Sequence, residues 1–177
     1  CAVKTLTEIT PQLGFDYLLN FGFTTLVQNR TEKDGSVVSD IQQPLALGGI
    51  TDGITNLEIT AAYATIANQG TYTRPVFYSK VVDSNGRILL DNTTPTTHTV
   101  LKSSTASLLT QGMTSVITEG TGKACALTDG MPVSGKTGTT SSAYDLWFCG
   151  YTPYLTASIW TGYDENKELG SDQAYHE

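Results

Sequence analysis

Lys136, Thr137, Gly138, Thr139 and Thr140 stand in one row, a cation followed by hydroxyls around a glycine. Such a row can grip an anion, and two kinds of grip fit it. Counted from Gly130, it completes G-x-x-x-x-G-K-T, a loop whose backbone N–H groups cradle phosphates. Counted from Lys136, it is K-T-G-T-T, in which an ammonium and two threonine hydroxyls can hold a terminal carboxylate. The two readings predict different chemistry.

The flanking residues separate them. A phosphate cradle opens a helix, because the anion sits on the helix N-terminus. Here Gly138 is followed by Thr139-Thr140-Ser141-Ser142-Ala143-Tyr144, with no apolar positions at helical spacing. Asp145 to Tyr151 then reads as a strand closed by Thr152-Pro153, and Leu155 to Tyr163 as a second strand. The best carboxylate for magnesium, Asp83 after Val81-Val82, lies upstream of the loop rather than downstream. Nucleotide binding is therefore the remote alternative, and Lys136 belongs on a strand.

On a strand, Lys136 and Gly138 share one face while Thr137 and Thr139 share the other. All of them can serve one ligand only from a sheet edge. Gly138 leaves room for a substrate backbone, and the Thr139 N–H can donate to a developing oxyanion. Lys136 and Thr139 are thus the candidate catalytic residues. Thr137, Gly138, Thr139 and Thr140 are the candidates for substrate binding.

Further blocks surround this row. Leu45-Ala46-Leu47-Gly48-Gly49 and Gly53-Ile54-Thr55-Asn56-Leu57-Glu58-Ile59-Thr60-Ala61-Ala62-Tyr63-Ala64 come first, with Asn68-Gln69-Gly70 and Arg74-Pro75 behind them. Gly120-Thr121-Gly122, Asp145-Leu146-Trp147-Phe148, Gly150-Tyr151-Thr152-Pro153 and Trp160-Thr161-Gly162-Tyr163-Asp164 follow. In this order the blocks resemble the second half of the transpeptidase domain of a high-molecular-mass penicillin-binding protein, most like the bifunctional class A enzymes. The first forty-odd residues resemble it only loosely.

The resemblance implies an α+β fold of the penicillin-binding protein and serine β-lactamase kind, an antiparallel sheet flanked by helices. It also implies a serine-type D,D-transpeptidase of peptidoglycan, with stem peptides as substrates and β-lactams as their mimics. The site would lie on the extracytoplasmic face of the bacterial membrane, with the anchor outside this chain. Lys136 would put positive charge near the carboxylate, Thr137 and Thr139 would bind it, and the Thr139 N–H would complete an oxyanion hole.

The family's nucleophile motif S-x-x-K and its S-x-N motif both belong upstream of K-T-G. No Ser lies three residues before any Lys, and no Ser-x-Asn occurs. Cys1 lies three before Lys4, but a terminal residue rarely has the electropositive setting that a reactive thiolate needs. We expect a piece that begins just after the second motif, that needs the upstream part of its own domain as a partner, and that is inactive alone. A non-catalytic module that grips wall peptide is the alternative.

Composition agrees with an exported domain. The 177 residues are 39% hydrophobic and 15% charged, enough for one domain with a core. A net charge of -7 argues against nucleic acid or an anionic membrane surface as partner. No apolar run approaches the roughly 20 residues of a membrane span, so this segment is expected to make no membrane contact. No metal or cofactor is expected, since the three cysteines form no C-x-x-C. Cys125 and Cys149 could form a disulfide; buried thiols are the preferred reading. His98, in a Thr/Pro-rich loop, and His176 read as solvated.

The elements that position these residues can be expected as well. Thr10-Pro11 starts a helix with Leu13, Tyr17, Leu18 and Phe21 inward, ended by Gly22. Residues 29 to 40 read as a surface loop. Thr55-Asn56-Leu57-Glu58 is a capping box, and Gly70 offers the left-handed end of that helix. Val76–Val82 and Arg87–Leu90 flank an Asn85-Gly86 hairpin turn, and 91 to 99 is a loop. Ser103 or Ser104 caps a helix with Ala106, Leu109, Met113 and Val116 or Ile117 inward. Gly120-Thr121-Gly122 is its cap and turn. One domain is expected over 1–164, followed by a loose acidic tail over 165–177.

Overall fold

The computed structural model describes residues 1–165 and 167–170. Two helices open the chain, α1 (Ala2–Ile9) and α2 (Pro11–Asn20). Thr10 separates them and its hydroxyl accepts from the Leu13 N–H, while Pro11 supplies the fixed φ of a first helical residue. α1 was not expected. Its Leu6 joins Phe15 and Leu45 in a small core against which Leu18 packs as expected, but Leu13 and Tyr17 turn outward and Phe15 takes their place. Phe15 is 2% exposed, whereas Leu13 and Tyr17 are each 43% exposed. Helical spacing allowed either face, and the close packing of α1 decided it: a Cβ on Gly14 would lie 2.5 Å from Leu6 Cδ1.

The segment 29–40 is more than a surface loop. It holds a short antiparallel hairpin, β1 (Arg30–Thr31) with β2 (Val37–Val38). Asp40 follows and is only 3% exposed. Its carboxylate accepts from the backbone N–H of Val27 and from both the N–H and the hydroxyl of Thr51. These bonds satisfy a buried charge and fix the loop that leads into the next helix.

That helix is α3 (Asn56–Ala67), and the capping box is formed. The Thr55 hydroxyl accepts from Glu58 N–H, and the Glu58 carboxylate accepts from Thr55 N–H. Gly70 is at φ +88, and its N–H reaches the Thr65 carbonyl at 2.8 Å. A Cβ there would stand 2.2 Å from the Leu101 carbonyl oxygen. Gly70→Ala is therefore expected to cost about 2–4 kcal/mol, from backbone strain and overpacking together. A urea midpoint unchanged by this substitution would contradict that account.

Beyond α3, β3 (Thr71–Thr73) pairs with β6 (Thr97–Thr99), enclosing the hairpin of β4 (Lys80–Val82) and β5 (Ile88–Asp91). The Asn-Gly hairpin is present, but its first strand begins at Lys80 rather than Val76. Part of the expected 91–99 loop is strand, since Thr97–Thr99 finds its partner on the far side of the hairpin. His98 is exposed but held: its ring lies 5.0 Å from that of Tyr72, and Nε2 is 2.8 Å from the Asn20 carbonyl.

α4 (Ser103–Thr118) has Lys102 at its cap position, and neither serine caps it through a side chain. Ala106 and Ile117 face inward and Met113 and Val116 are half-buried, but Leu109 is 44% exposed. The chain then forms an antiparallel sheet, β7 (Ser134–Thr139), β8 (Asp145–Tyr151) and β9 (Thr156–Gly162), in that spatial order. α4 packs on β7, and α3 on β8 and β9. This is the α+β architecture expected, with the lysine strand at a sheet edge. Leu169 is buried and its N–H donates to the Ala143 carbonyl at 3.0 Å. Asp172, His176 and Glu177 lie outside the described residues. Among the described residues no helix is long and apolar enough to cross a membrane.

Candidate functional site

β7 is bound to the sheet on one side and to α4 beneath. Ser134 and Gly135 are buried at its start. The Ser134 hydroxyl lies 2.8 Å from Thr114 Oγ1 and donates to the Thr110 carbonyl at 3.2 Å. Gly135 pairs with Gly150, and the Phe148 ring fills the space their side chains would need. These contacts leave Lys136 to Thr139 as the well-anchored end of an edge strand, with Lys136 and Thr139 exposed and Thr137 and Gly138 half-buried.

The register runs Lys136 to Cys149 to Ser158, and Gly138 to Trp147 to Trp160. Lys136 therefore shares a face with two tryptophans, as strand alternation requires. Its Nζ donates to the Thr137 carbonyl at 2.8 Å and lies 3.5 Å from Thr137 Oγ1. Among the described residues no carboxylate pairs with it; the ion pairs are Arg30 with Glu32 and Asp52, and Lys80 with Asp91. An ammonium and a threonine hydroxyl thus converge at the edge. That combination suits an incoming carboxylate.

Thr137 Oγ1 lies 2.8 Å from Thr121 Oγ1, in the turn after α4. Gly138 sits against Trp147, whose Cβ would be 3.2 Å from an added Cβ. Thr139 is exposed at the strand end. Thr140 lines the groove, and its hydroxyl also accepts from Asp145 N–H at 2.8 Å and closes the turn into β8. Asp145 in turn accepts from Trp160 Nε1 at 2.9 Å, and Trp160 lies 6.4 Å from Trp147. Spacing alone did not single out Thr121, Asp145, Trp147 or Trp160 as neighbours of Lys136. The period-2 alternation of β8 and β9 carries that signal once the register is known.

A groove of about 1210 Å³ opens beside Lys136. Its walls are the 47–54 loop, the first turns of α3 with Ile59 and Tyr63, residues 136–140, Trp147 and Trp160. The loop wall is held by Asp40 through Thr51, and by the Thr25 hydroxyl, which donates to the Gly53 carbonyl at 2.9 Å. At the start of α3, Glu58 is 9% exposed and accepts from Thr24 N–H, Thr24 Oγ1 and Thr55 N–H.

Two ionisable groups that line the groove, Cys149 and Tyr63, are held in their neutral forms. Burial pushes the Cys149 thiol up, away from the thiolate that would react, and burial likewise raises the Tyr63 phenol. No disulfide joins Cys149 to Cys125. Nor is a phosphate cradle formed. Residues 134–139 are strand, 141–143 a single 3-10 turn and 145–151 strand again, so no helix N-terminus stands behind Lys136. Among the described residues no group of three or more His, Cys, Asp or Glu could hold a metal.

The penicillin binding protein transpeptidase domain matches the chain over residues 1–174. Penicillin-binding protein 1A of Aquifex aeolicus is 40% identical over 126 residues, which cover 71% of this chain and 17% of that protein. Penicillin-binding protein 1A of Clostridium acetobutylicum is 35% identical over 168 residues, 95% of this chain and 19% of that protein. Among solved structures, PonA1 of Mycobacterium tuberculosis in complex with penicillin V superposes with a TM-score of 0.68. It is 26% identical, over 88% of this chain and 40% of that one. The chain thus spans less than a quarter of the length of these two relatives.

Proposed function

The chain belongs to the penicillin-binding protein transpeptidase domain family, and we propose that it supplies the carboxylate-gripping wall of a serine D,D-transpeptidase that cross-links peptidoglycan. The observation that carries this reading is the edge strand itself, with Lys136 Nζ and Thr137 Oγ1 converging beside an open groove. The apolar part of that groove, with Ile54, Ile59, Trp147 and Trp160, suits the upstream part of the same domain. That part would bring the nucleophilic serine to the strand.

The reaction would run in two steps. The serine hydroxyl adds to the carbonyl of the D-Ala–D-Ala bond, and its proton passes to the departing amine of D-alanine. An amine on a second stem peptide then attacks the acyl-serine, and the serine hydroxyl is restored. Lys136, Thr137 and Thr139 hold the terminal carboxylate, and the Thr139 N–H donates to the oxyanion, an interaction worth about 3 kcal/mol of barrier. Gly138 keeps the approach clear. β-Lactams present the same carboxylate and carbonyl, so they acylate the same serine. Peptidoglycan lies on the extracytoplasmic face of the bacterial membrane, and we place the site there.

Intact mass with and without benzylpenicillin tests this reading, on the chain alone and on the whole protein. The expected result is one penicilloyl adduct on the whole protein, mapped to a serine upstream of Cys1, and none on the chain alone. A folded whole protein that forms no adduct would instead favour a module that grips wall peptide without cleaving it. That second reading needs only the gripping residues, Lys136 and Thr137.

A further inference from the structure

The turn that follows α4 plays no part in the two-step reaction, yet it touches the site. Thr121 lies in that turn, between two glycines pressed onto the helix end. A Cβ on Gly120 would lie 2.8 Å from Val116 Cα, and one on Gly122 would lie 2.9 Å from Ile117 Cδ1. The Gly122 N–H donates to the Val116 carbonyl at 3.0 Å. The turn is therefore fixed to α4, and α4 is fixed to the sheet. Thr110 Oγ1 is 2.7 Å from the Tyr151 hydroxyl, and Thr114 Oγ1 is 2.8 Å from Ser134 Oγ. Thr121 Oγ1, 2.8 Å from Thr137 Oγ1, is the third contact of the same kind. Together they form a seam of paired hydroxyls that ends at the carboxylate grip.

A hydroxyl carries one proton and two lone pairs. If Thr137 is to donate its proton to a carboxylate, it must accept in the pair with Thr121. The neighbouring ammonium is poorly placed to impose that order, because Lys136 Nζ is 3.5 Å from Thr137 Oγ1 and only 2.8 Å from the Thr137 carbonyl. Resting on the transpeptidase reading, we propose that Thr121 is a positioning residue that donates to Thr137 and so turns the Thr137 proton toward the ligand's carboxylate. The seam thereby favours ligands with an anionic terminus over neutral ones.

The test uses the whole protein with Thr121→Val, which keeps the shape and removes the hydroxyl, and Thr121→Ser, which restores it. Acylation by benzylpenicillin should fall about tenfold in Thr121→Val and return to within about twofold in Thr121→Ser. Acylation by benzylpenicillin methyl ester, which has no free carboxylate, should be the same in all three proteins. Equal losses on both compounds, or no loss on either, would overturn the inference. Should Thr121→Val melt below the assay temperature, Thr121→Ala is compared on the same two compounds and judged by the same outcomes. Thr137→Val alone and combined with Thr121→Val gives a further reading: a second loss on top of the first overturns action through Thr137. If the unmutated protein forms no adduct with benzylpenicillin, the transpeptidase reading fails and this inference fails with it, which separates the two failures.

Discussion

Replacing Lys136 by alanine in the whole protein is expected to slow acylation by benzylpenicillin about 10²- to 10³-fold. The ammonium is exposed and hydrogen-bonds to its neighbour Thr137, so its removal should change stability by less than about 0.5 kcal/mol. Its loss matters once a carboxylate arrives. A truncated partner in a desolvated, hydrogen-bonded charge pair typically costs about 2–5 kcal/mol, in agreement with that fall in rate. Lys136→Arg keeps the charge and should lose far less. The rate constant is read from the time course of adduct formation by intact mass, with the urea midpoint as control. Undiminished acylation in Lys136→Ala would sink the role given to the strand.

The second large effect concerns Glu58 and acid. Burial alone would raise the pKa of this carboxyl. Hydrogen bonds from Thr55 and Thr24 outweigh burial and bring it from its ordinary 4.5 down to about 2. A group depressed in the folded state contributes stability that is fully present above its unfolded pKa and is lost as pH falls through its folded value. The window is therefore pH 4.5 down to about 2, and the depression corresponds to roughly 3 kcal/mol. Glu58→Gln should be less stable than the parent at neutral pH and should lose less than the parent across that window. Glu58→Ala, which strands the donors of Thr24 and Thr55, should cost about 3–5 kcal/mol. Urea midpoints measured at several pH values decide the matter. Parallel acid profiles for parent and Glu58→Gln would show that the carboxylate is not what holds residues 24–25 to α3.

What was legible in the sequence was local in cause. The Thr55–Glu58 capping box, the Asn85-Gly86 turn and the alternation of β8 and β9 each depend on residues within a few positions of one another. α3, the turn of the β4–β5 hairpin and the edge strand were read correctly for that reason, while the first strand of that hairpin proved four residues shorter than expected. The parts that were missed depend on distant partners. Asp40 and Glu58 are charged residues whose burial becomes tolerable only through donors on Val27, Thr51, Thr24 and Thr55. Thr97–Thr99 is a strand only because Thr71–Thr73 lies beside it. The inward face of α2 was chosen by α1, whose eight residues place only Leu6 in the core. The site divides in the same way. Lys136 to Thr139 were visible as a motif, while Thr121, Asp145 and the tryptophan pair enter through tertiary contacts. Thr140 lines the groove as the motif implied, and its part in closing the turn into β8 shows only in the structure.

The groove also carries a consequence for how fast this structure can form. One wall comes from residues 47–63 and the other from residues 136–160, with the β4–β5 hairpin and all of α4 between them in the chain. α3 meets β8 and β9 only after that long stretch has been drawn together, and such closure is slow compared with the growth of a helix or a hairpin. Until it happens, Ile54, Ile59, Trp147 and Trp160 remain in water, and the nascent polypeptide is at its most exposed to aggregation and proteolysis. The groove, unlike the local hairpin of β7 and β8 that carries Lys136, is therefore expected to close late in folding. A penicillin-binding signal followed in time on the refolding whole protein should lag behind the recovery of helix.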